Sequence, residues 1–147
     1  MSDNLEFWVI IFIRTNVPQF SREEMRIPKI RDLLVQRYFG RNKHTAVCLL
    51  GPPGIGKSVA VEEAAQEIAR RLKAEFIDYD DERGERYLGG GDIFIYHNLP
   101  LVELEPSDLT GVPVHHQRFV RFAPLLWAYL MSKHPGILLL DDFLDVQ

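Results

Sequence analysis

Apolar and polar positions along this chain follow two repeating patterns. Short segments rich in apolar residues, typical of buried strands, occur at residues 7–13, 45–50, 76–79, 92–96 and 137–140. Apolar residues at helical spacing predict helices at residues 30–38, 59–72 and 124–132. Because strand, loop and helix follow one another along the chain, we expect an α/β fold with a mainly parallel sheet.

The segments between these elements complete the prediction. Residues 21–24 have the spacing of a helix capping box. Residues 80–91 are polar and end in three glycines, so residues 74–104 are predicted to hold a hairpin-like insertion. Residues 101–104 are a further strand candidate, and residues 105–113 are predicted to form a loop.

The composition narrows the class of protein. A chain of 147 residues with 46% hydrophobic and 26% charged residues has the profile of one soluble globular domain. Its first apolar run is shorter than the about 20 residues that cross a bilayer. Asp3 and Glu6 precede that run, so a secretory signal is not expected either. The predicted location is therefore cytoplasmic.

Charge and cysteine content bear on the possible partners. The net charge is -4, and no block rich in lysine and arginine indicates a nucleic-acid-binding surface. Cys48 is the only cysteine, so neither a disulfide within the chain nor a cysteine metal cluster can form. Because Cys48 stands in an apolar run, we expect it to be a small buried side chain.

A glycine-rich loop directly follows the second predicted strand. It matches the pattern G-x-x-x-x-G-K-[ST] in full. The positions expected to contact a nucleotide are Gly51, Pro52, Pro53, Gly54, Ile55, Gly56, Lys57, Ser58 and Val59. Such a loop binds phosphate through backbone N–H groups at a helix N-terminus. The alternative, a glycine-rich turn with a solvated lysine, is disfavoured by the strand before the loop and the helix after it.

Two side chains of this loop carry distinct chemistry. Lys57 is expected to reach the terminal phosphates as a point charge, which makes it a candidate catalytic residue. Ser58 is expected to hold Mg²⁺, because this ion prefers hard oxygen ligands. The loop therefore predicts ATP and Mg²⁺ as cofactors.

Two aspartates follow the last predicted strand. Asp141 and Asp142 come directly after residues 137–140, and the carboxyl ends of strands line the ligand crevice of open α/β sheets. Asp141 is expected to hold Mg²⁺, and Asp142 to orient the attacking water. The alternative is that both are ordinary turn residues.

Other polar and aromatic residues are weaker candidates. The neighbours His115 and His116 are not expected to converge on one metal ion, and we place them in a solvated loop. Residues 80–82 are expected to form a solvated turn. Trp127 and Tyr129 are expected in the core, because both offer a large packing area.

Four segments together support a family resemblance. They are the loop GPPGIGKS, the strand end LLLLDD, the segment EPSDLTGVP and the tripeptide FAP at residues 122–124. From about residue 33 onward, the chain resembles AAA+ ATPases and, within them, the MoxR-like group. The resemblance implies a P-loop NTPase fold, which is a three-layer α/β/α sandwich. A strand and helix at residues 1–40 would lead into an incomplete AAA+ core at residues 41–147.

The same resemblance implies an activity. MoxR-like proteins are ring-forming, magnesium- and ATP-dependent machines that remodel client proteins, with ATP bound between subunits. Residues 51–58 would be the Walker-A motif and Asp141 the metal-coordinating acid of the Walker-B motif. Asp142 stands where the family has a catalytic glutamate. Aspartate is one methylene shorter, so slow hydrolysis is expected.

The resemblance leaves three questions open. The family places a sensor-1 strand between the Walker-A and Walker-B strands, and the sequence ends soon after Asp141. A fragment is therefore expected, unless the first strand, residues 5–13, takes an unassigned place. A P-loop kinase for a small molecule would use the same loop, although no arginine-rich lid follows the last strand. A nucleotide-sensing assembly module with little turnover is the third hypothesis.

Overall fold

Five strands form one parallel sheet with helices on both faces. The computed structural model describes residues 7–14, 27–41, 45–51, 54 and 56–141. The elements are β1 (Phe7–Arg14), α1 (Ile27–Tyr38), β2 (Val47–Gly51), α2 (Lys57–Leu72), β3 (Glu75–Asp78), α3 (Asp81–Glu85), β4 (Ile93–Pro100), a 3₁₀ turn (Leu101–Glu103), α4 (Pro106–Thr110), β5 (Val112–His116), β6 (Phe119–Ala123), α5 (Leu126–Met131) and β7 (Gly136–Asp141). No helix in these ranges is long and apolar enough to cross a membrane.

The first strand lies inside the sheet. The strand order is β2-β1-β7-β4-β3, and every neighbouring pair is parallel. Ile10 is paired with Val47 of β2 on one side and with Leu139 of β7 on the other. β1 thus takes the place between the strand before the glycine-rich loop and the strand before the aspartates. The mainly parallel α/β sheet predicted from the sequence is confirmed.

Alternating side chains of the strands face two separate helical layers. Phe94 of β4 and Leu139 of β7 are buried against α1 and α2. Ile95 follows Phe94 on β4, and Leu138 precedes Leu139 on β7. Both are buried on the opposite face of the sheet, together with Leu130 of α5. Burying one such side chain contributes about 1.5–3 kcal/mol. The two clusters hold the helices on both faces and fix the sheet between them.

β2 is an edge strand rather than a fully buried one. Its residues alternate between half-buried and exposed, and Leu50 is 54% exposed. Cys48 is exposed as well. The predictions of a fully buried strand and of a buried Cys48 are therefore wrong. In the described sheet β2 pairs with β1 alone, so it is an edge strand and its alternate side chains are exposed.

The predicted hairpin-like insertion is also wrong. β3 and β4 run parallel and are joined through α3, which occupies part of the predicted polar turn. The side chain of Asp80 caps this helix by accepting a hydrogen bond from the backbone N–H of Arg83 at 2.7 Å. Gly84 is buried, and a Cβ there would meet Leu130 of α5 at 3.1 Å. The cap and the close packing explain why a polar segment forms a helix.

The segments after β4 differ from the prediction in a similar way. The strand candidate at residues 101–104 is a 3₁₀ turn. The predicted loop at residues 105–113 contains α4, whose start has a capping box formed by Glu105 and Asp108. Asp108 accepts a hydrogen bond from the Glu105 backbone N–H at 2.9 Å. This side-chain cap stabilises α4, and such caps leave little trace in the apolar pattern.

Residues 112–123 form an antiparallel hairpin of β5 and β6 instead of a loop. His115 and His116 lie exposed on β5, so the solvated environment is confirmed and the loop is not. Gly111 begins the hairpin with a φ of 84°. A Cβ atom at Gly111 would overlap the carbonyl oxygen of Ala123, where β6 ends. The two ends of the hairpin therefore meet at a position that requires glycine.

His97 is an unexpected polar residue on the inner surface of β4. Its Nε2 atom is buried and has no hydrogen-bond partner among the described residues. The imidazole packs between the rings of Tyr79, at 4.7 Å, and Trp127, at 5.4 Å. Burial lowers the pKa of His97 to about 4, although Asp81 acts in the opposite direction. The folded protein therefore disfavours the charged imidazole.

This burial predicts a loss of stability in mild acid. The unfolded chain would take up a proton on His97 near pH 6.5, whereas the folded chain would do so only near pH 4. The free energy of unfolding should therefore fall as the pH drops from 6.5 to 4. We expect a loss of about 2 kcal/mol from this group, reduced by its partial solvent access. Urea denaturation across this pH range measures it.

The matched variant for this prediction is His97→Phe, which keeps a ring between Tyr79 and Trp127. It should lose clearly less stability over the same interval, with a remainder from His134, whose pKa burial also lowers. The exposed His116→Phe serves as the control and should retain the wild-type slope. Identical pH slopes in His97→Phe and the wild type would contradict the assignment.

Candidate functional site

The glycine-rich loop connects the edge strand β2 to the longest helix. β2 ends at Gly51, and α2 begins at Lys57. Gly54 and Gly56 have φ angles of 79° and 87°, in the left-handed region that side chains disfavour. The chain therefore curls through these two glycines before it enters α2. Pro52, Pro53 and Ile55, which the sequence prediction assigns to the site, lie outside the described residues.

The N-terminus of α2 presents backbone donors without a side-chain cap. Gly56 is the N-cap residue and makes no side-chain capping hydrogen bond. The first N–H that bonds back to it is that of Ala60, at 3.0 Å. In any α-helix, the N–H groups of the first turn point beyond the N-terminus instead of bonding to carbonyls of the same helix. In a helix of 16 residues they also carry the positive end of the dipole.

Lys57 folds back over the loop. Its Nζ donates a hydrogen bond to the carbonyl oxygen of Gly51 at 2.9 Å. Lys57 is half-buried, and this hydrogen bond holds its ammonium group at the end of β2. Val59, in the first turn of α2, is 51% exposed. The lysine is therefore close to any anion that the N–H groups of α2 would bind.

Ser58 meets the acidic end of a distant strand. Its Oγ lies 3.4 Å from Oδ2 of Asp141, a residue 83 positions further along the chain. This distance exceeds the about 2.7–2.8 Å of an ordinary O–H···O hydrogen bond. It is nevertheless short enough for both oxygens to bind one small cation, because Mg²⁺ holds its ligands at about 2.0–2.1 Å. Asp142 lies outside the described residues.

The path of α2 explains how these residues meet. Parallel strands end at the same edge of a sheet, but β1 separates β2 from β7, which puts them about 10 Å apart. α2 leaves the β2 edge and packs across the sheet, with Ala64 and Ile68 buried in one cluster with Leu139 of β7. Small buried residues such as Ala60 let the helix approach the strands closely. Its first turn therefore carries Ser58 to Asp141.

Further polar residues lie near the carboxyl ends of these strands, and no sequence motif includes them. Burial raises the pKa of Tyr96, and the carboxylates of Glu62, Asp78 and Asp141 raise it further. Glu62 lies one helical turn after Ser58, and Asp78 is the last residue of β3. Asp78 could have been found from the sequence, because it is an acidic residue near the end of a predicted strand. Glu62 and Tyr96 could not, because only the fold brings them close to Asp141.

Ser58 and Asp141 fit a metal ion that takes its remaining ligands from water and phosphate. Among the described residues, no group of three or more histidine, cysteine, aspartate or glutamate side chains could hold a metal on its own. Ser58 and Asp141 offer two hard oxygens, which suits a cation that keeps several waters and phosphate oxygens. The arrangement can therefore bind an anionic phosphate chain together with a divalent cation.

Comparisons with known proteins give no relative. No protein-family model matches this sequence, and no curated protein or solved structure matches it at the significance required.

Proposed function

We propose that this chain binds ATP with Mg²⁺ and hydrolyses it as an AAA+ ATPase of the MoxR-like kind, which forms a ring and remodels client proteins. The observation that carries the proposal is the 3.4 Å approach of Ser58 to Asp141. The fold brings these two segments, 83 positions apart in the chain, to the same end of the sheet, and there the hydroxyl of Ser58 and the carboxylate of Asp141 are directed at each other. Their meeting at the start of α2 supports a shared role.

The phosphate chain would lie between Gly51 and the first turn of α2. Backbone N–H groups of that turn would donate to phosphate oxygens. Lys57 would exchange the neutral carbonyl of Gly51, its present acceptor at 2.9 Å, for charged phosphate oxygens. Charged phosphate oxygens add an attraction between opposite charges that the neutral carbonyl does not offer, which favours this exchange.

Ser58 and Asp141 would hold the metal ion. When bound, Mg²⁺ would neutralise negative charge on the phosphate oxygens that its shell includes. Ser58 and Asp141 would fix the position of the triphosphate relative to the strand end. Asp142, the next residue in the chain, is the proposed group for orienting the attacking water. Its short side chain predicts slow turnover.

The proposal is tested by calorimetry of MgATP binding to the full chain and to Lys57→Ala. A hydrogen bond between charged groups contributes about 1.5–3 kcal/mol, so the variant should bind at least about 10-fold more weakly. Lys133→Ala is the matched control. Lys133 is exposed and lies three positions before Gly136, the first residue of β7. It is therefore near the amino end of β7, whereas Asp141 is at the carboxyl end. Equal affinity in Lys57→Ala and the wild type would refute the phosphate site.

Product analysis separates the alternatives once binding is shown. Release of inorganic phosphate into water supports an ATPase. Appearance of the terminal phosphate on a small-molecule acceptor would instead identify a kinase. Tight binding of MgATP with no turnover would indicate a nucleotide-sensing assembly module.

A further inference from the structure

The carboxyl-terminal ends of α1 and α2 lie next to each other. α1 ends at Tyr38 and α2 at Leu72. The guanidinium carbon of Arg71 lies over the ring of Phe39, 5.9 Å from its centroid. Five exposed basic residues belong to these two ends: Arg37, Arg41, Arg70, Arg71 and Lys73. We call these five residues together with Phe39 the helix-end surface.

The two helices contribute this charge from separate parts of the sequence. Neither segment is a basic block by itself, so only the packing of α1 against α2 concentrates the charge. No acidic residue occurs between residues 33 and 61. The helix-end surface is therefore basic, although the net charge of the protein is -4.

Two carboxylates near this surface have partners of their own. Glu67 accepts hydrogen bonds from Arg70 at 2.8 Å and from Arg71 at 2.7 Å. The Tyr87 hydroxyl donates a hydrogen bond to Glu75, the first residue of β3. Among the described residues, the other three cations of the surface form no ion pair: Arg37, Arg41 and Lys73. These three cations are therefore available to an anionic partner.

Stabilisation of the helices accounts for only part of this charge. The last turn of a helix favours cations, and Arg37, Arg70 and Arg71 lie in the last turns of α1 and α2. Arg41 lies three positions after the end of α1, whereas this effect falls off within the last turn. The helix dipole also gives no reason for an exposed aromatic ring at Phe39.

That ring is held in place at the surface. Phe39 is 46% exposed, whereas its neighbour Tyr38 is buried in the core. The two rings meet edge to face with their centroids 5.2 Å apart, and Arg71 lies over the Phe39 ring. Aromatic rings among cations bind single-stranded nucleic acid, because bases stack on the rings while phosphates contact the cations. An acidic peptide would use the cations but has no base to stack on the ring.

We propose that the helix-end surface binds single-stranded nucleic acid. Phe39 would stack on a base, and Arg37, Arg41 and Lys73 would bind neighbouring phosphates. Arginine suits this role because its planar guanidinium can bind a phosphate with two hydrogen bonds. The surface lies at the opposite end of α2 from Lys57, roughly 20 Å away along a helix of 16 residues. It therefore does not depend on the proposed nucleotide site.

Fluorescence anisotropy of a labelled oligothymidylate, titrated with the full chain at several salt concentrations, tests the role of the charges. Each phosphate neutralised on a single strand contributes about 0.7 to the slope of log Kd against log salt, so three cations predict a slope of about 2. Arg37→Gln/Arg41→Gln should lower this slope to about 0.7. The matched control Arg118→Gln/Arg121→Gln removes two exposed arginines of the β5–β6 hairpin and should keep the wild-type slope.

The same titration tests the role of the ring. Phe39→Ala removes the stacking surface, so it should bind about 5-fold more weakly or worse at every salt concentration, with an unchanged slope. Phe39→Trp keeps a ring and should bind at least as tightly as the wild type. The control Phe119→Ala removes a ring that is 61% exposed on the hairpin and should bind like the wild type. Circular dichroism checks that every variant is folded.

A lower salt slope in the arginine variant together with a lower affinity in Phe39→Ala supports the proposal. A wild-type chain that does not bind the oligothymidylate at low salt overturns it, and so does unchanged affinity in a folded Phe39→Ala protein. Labelled polyglutamate that binds as tightly as the oligothymidylate would assign the surface to acidic polypeptides instead. Displacement of the oligothymidylate by MgATP would place it at the glycine-rich loop and would also overturn the proposal.

Discussion

Asparagine in place of Asp141 is expected to reduce ATP hydrolysis at least about 100-fold. The change removes the negative charge that lies 3.4 Å from Ser58 while preserving the size of the side chain. A metal ion stabilises the charge of a phosphoryl-transfer transition state by several kcal/mol, and each 1.4 kcal/mol is about tenfold in rate. Phosphate release at saturating MgATP measures the effect.

Asp92→Asn provides the control for this substitution. Asp92 is exposed and directly precedes β4. It lies at the amino ends of the parallel strands, whereas Asp141 lies at a carboxyl end. It should hydrolyse ATP at the wild-type rate. Because asparagine has nearly the same shape, Asp141→Asn should keep the wild-type melting temperature. Undiminished hydrolysis in a folded Asp141→Asn protein would rule out the metal-binding role of Asp141.

Alanine in place of Gly136 is expected to destabilise the whole domain by about 3 kcal/mol or more. A Cβ atom there would overlap the carbonyl oxygen of Ile95 and lie 3.2 Å from Cε of Met131. The flexible methionine could move, but the carbonyl belongs to the backbone of the paired strand β4. A clash with the backbone of a strand costs more than the usual 1–3 kcal/mol of overpacking a side chain. The expected loss of stability corresponds to a fall of about 10 °C in melting temperature.

Gly89→Ala is the matched control for this prediction. A Cβ atom at Gly89 would have no neighbour within 4 Å, so the free energy of unfolding should change by less than about 0.5 kcal/mol. Thermal and urea unfolding of both variants compare the two sites. Equal stability of Gly136→Ala and Gly89→Ala would show that β4 and β7 can separate freely at this point.

The sequence pattern predicts the main strands and helices because each has a strong local signal. The unbroken run at residues 137–140 and the helical spacing after Lys57 are examples. The strand order is not local information. Nothing in the apolar run of β1 indicates that it pairs with both β2 and β7, because an unbroken apolar run is compatible with any interior position of a parallel sheet.

The hairpin escaped prediction for a different physical reason. Its apolar residues are exposed, so their pattern does not mark a core-facing side. Its turn also lacks the usual glycine. Gln117 takes a φ of 52° there, a conformation that asparagine or glycine adopts more readily. The turn therefore carried no compositional signal.

The candidate site was partly predictable. A phosphate loop and an acidic strand end can be found independently, and the parallel sheet brings strand ends to one edge. The 3.4 Å separation of Ser58 and Asp141 required the path of α2. The buried Tyr96 and the carboxylate of Glu62 belong to no motif, so only tertiary structure reveals them near the site.

The central position of β1 also sets the order in which the protein can fold. Pairing of β1 with β2 spans a short stretch of chain and can form early, whereas Ile10 must wait for Leu139, which lies much further along the chain. Contacts between such distant residues close slowly because of their loop-closure entropy. The approach of Ser58 to Asp141 depends on β7, so the site would assemble only after β7 has joined the sheet beside β1.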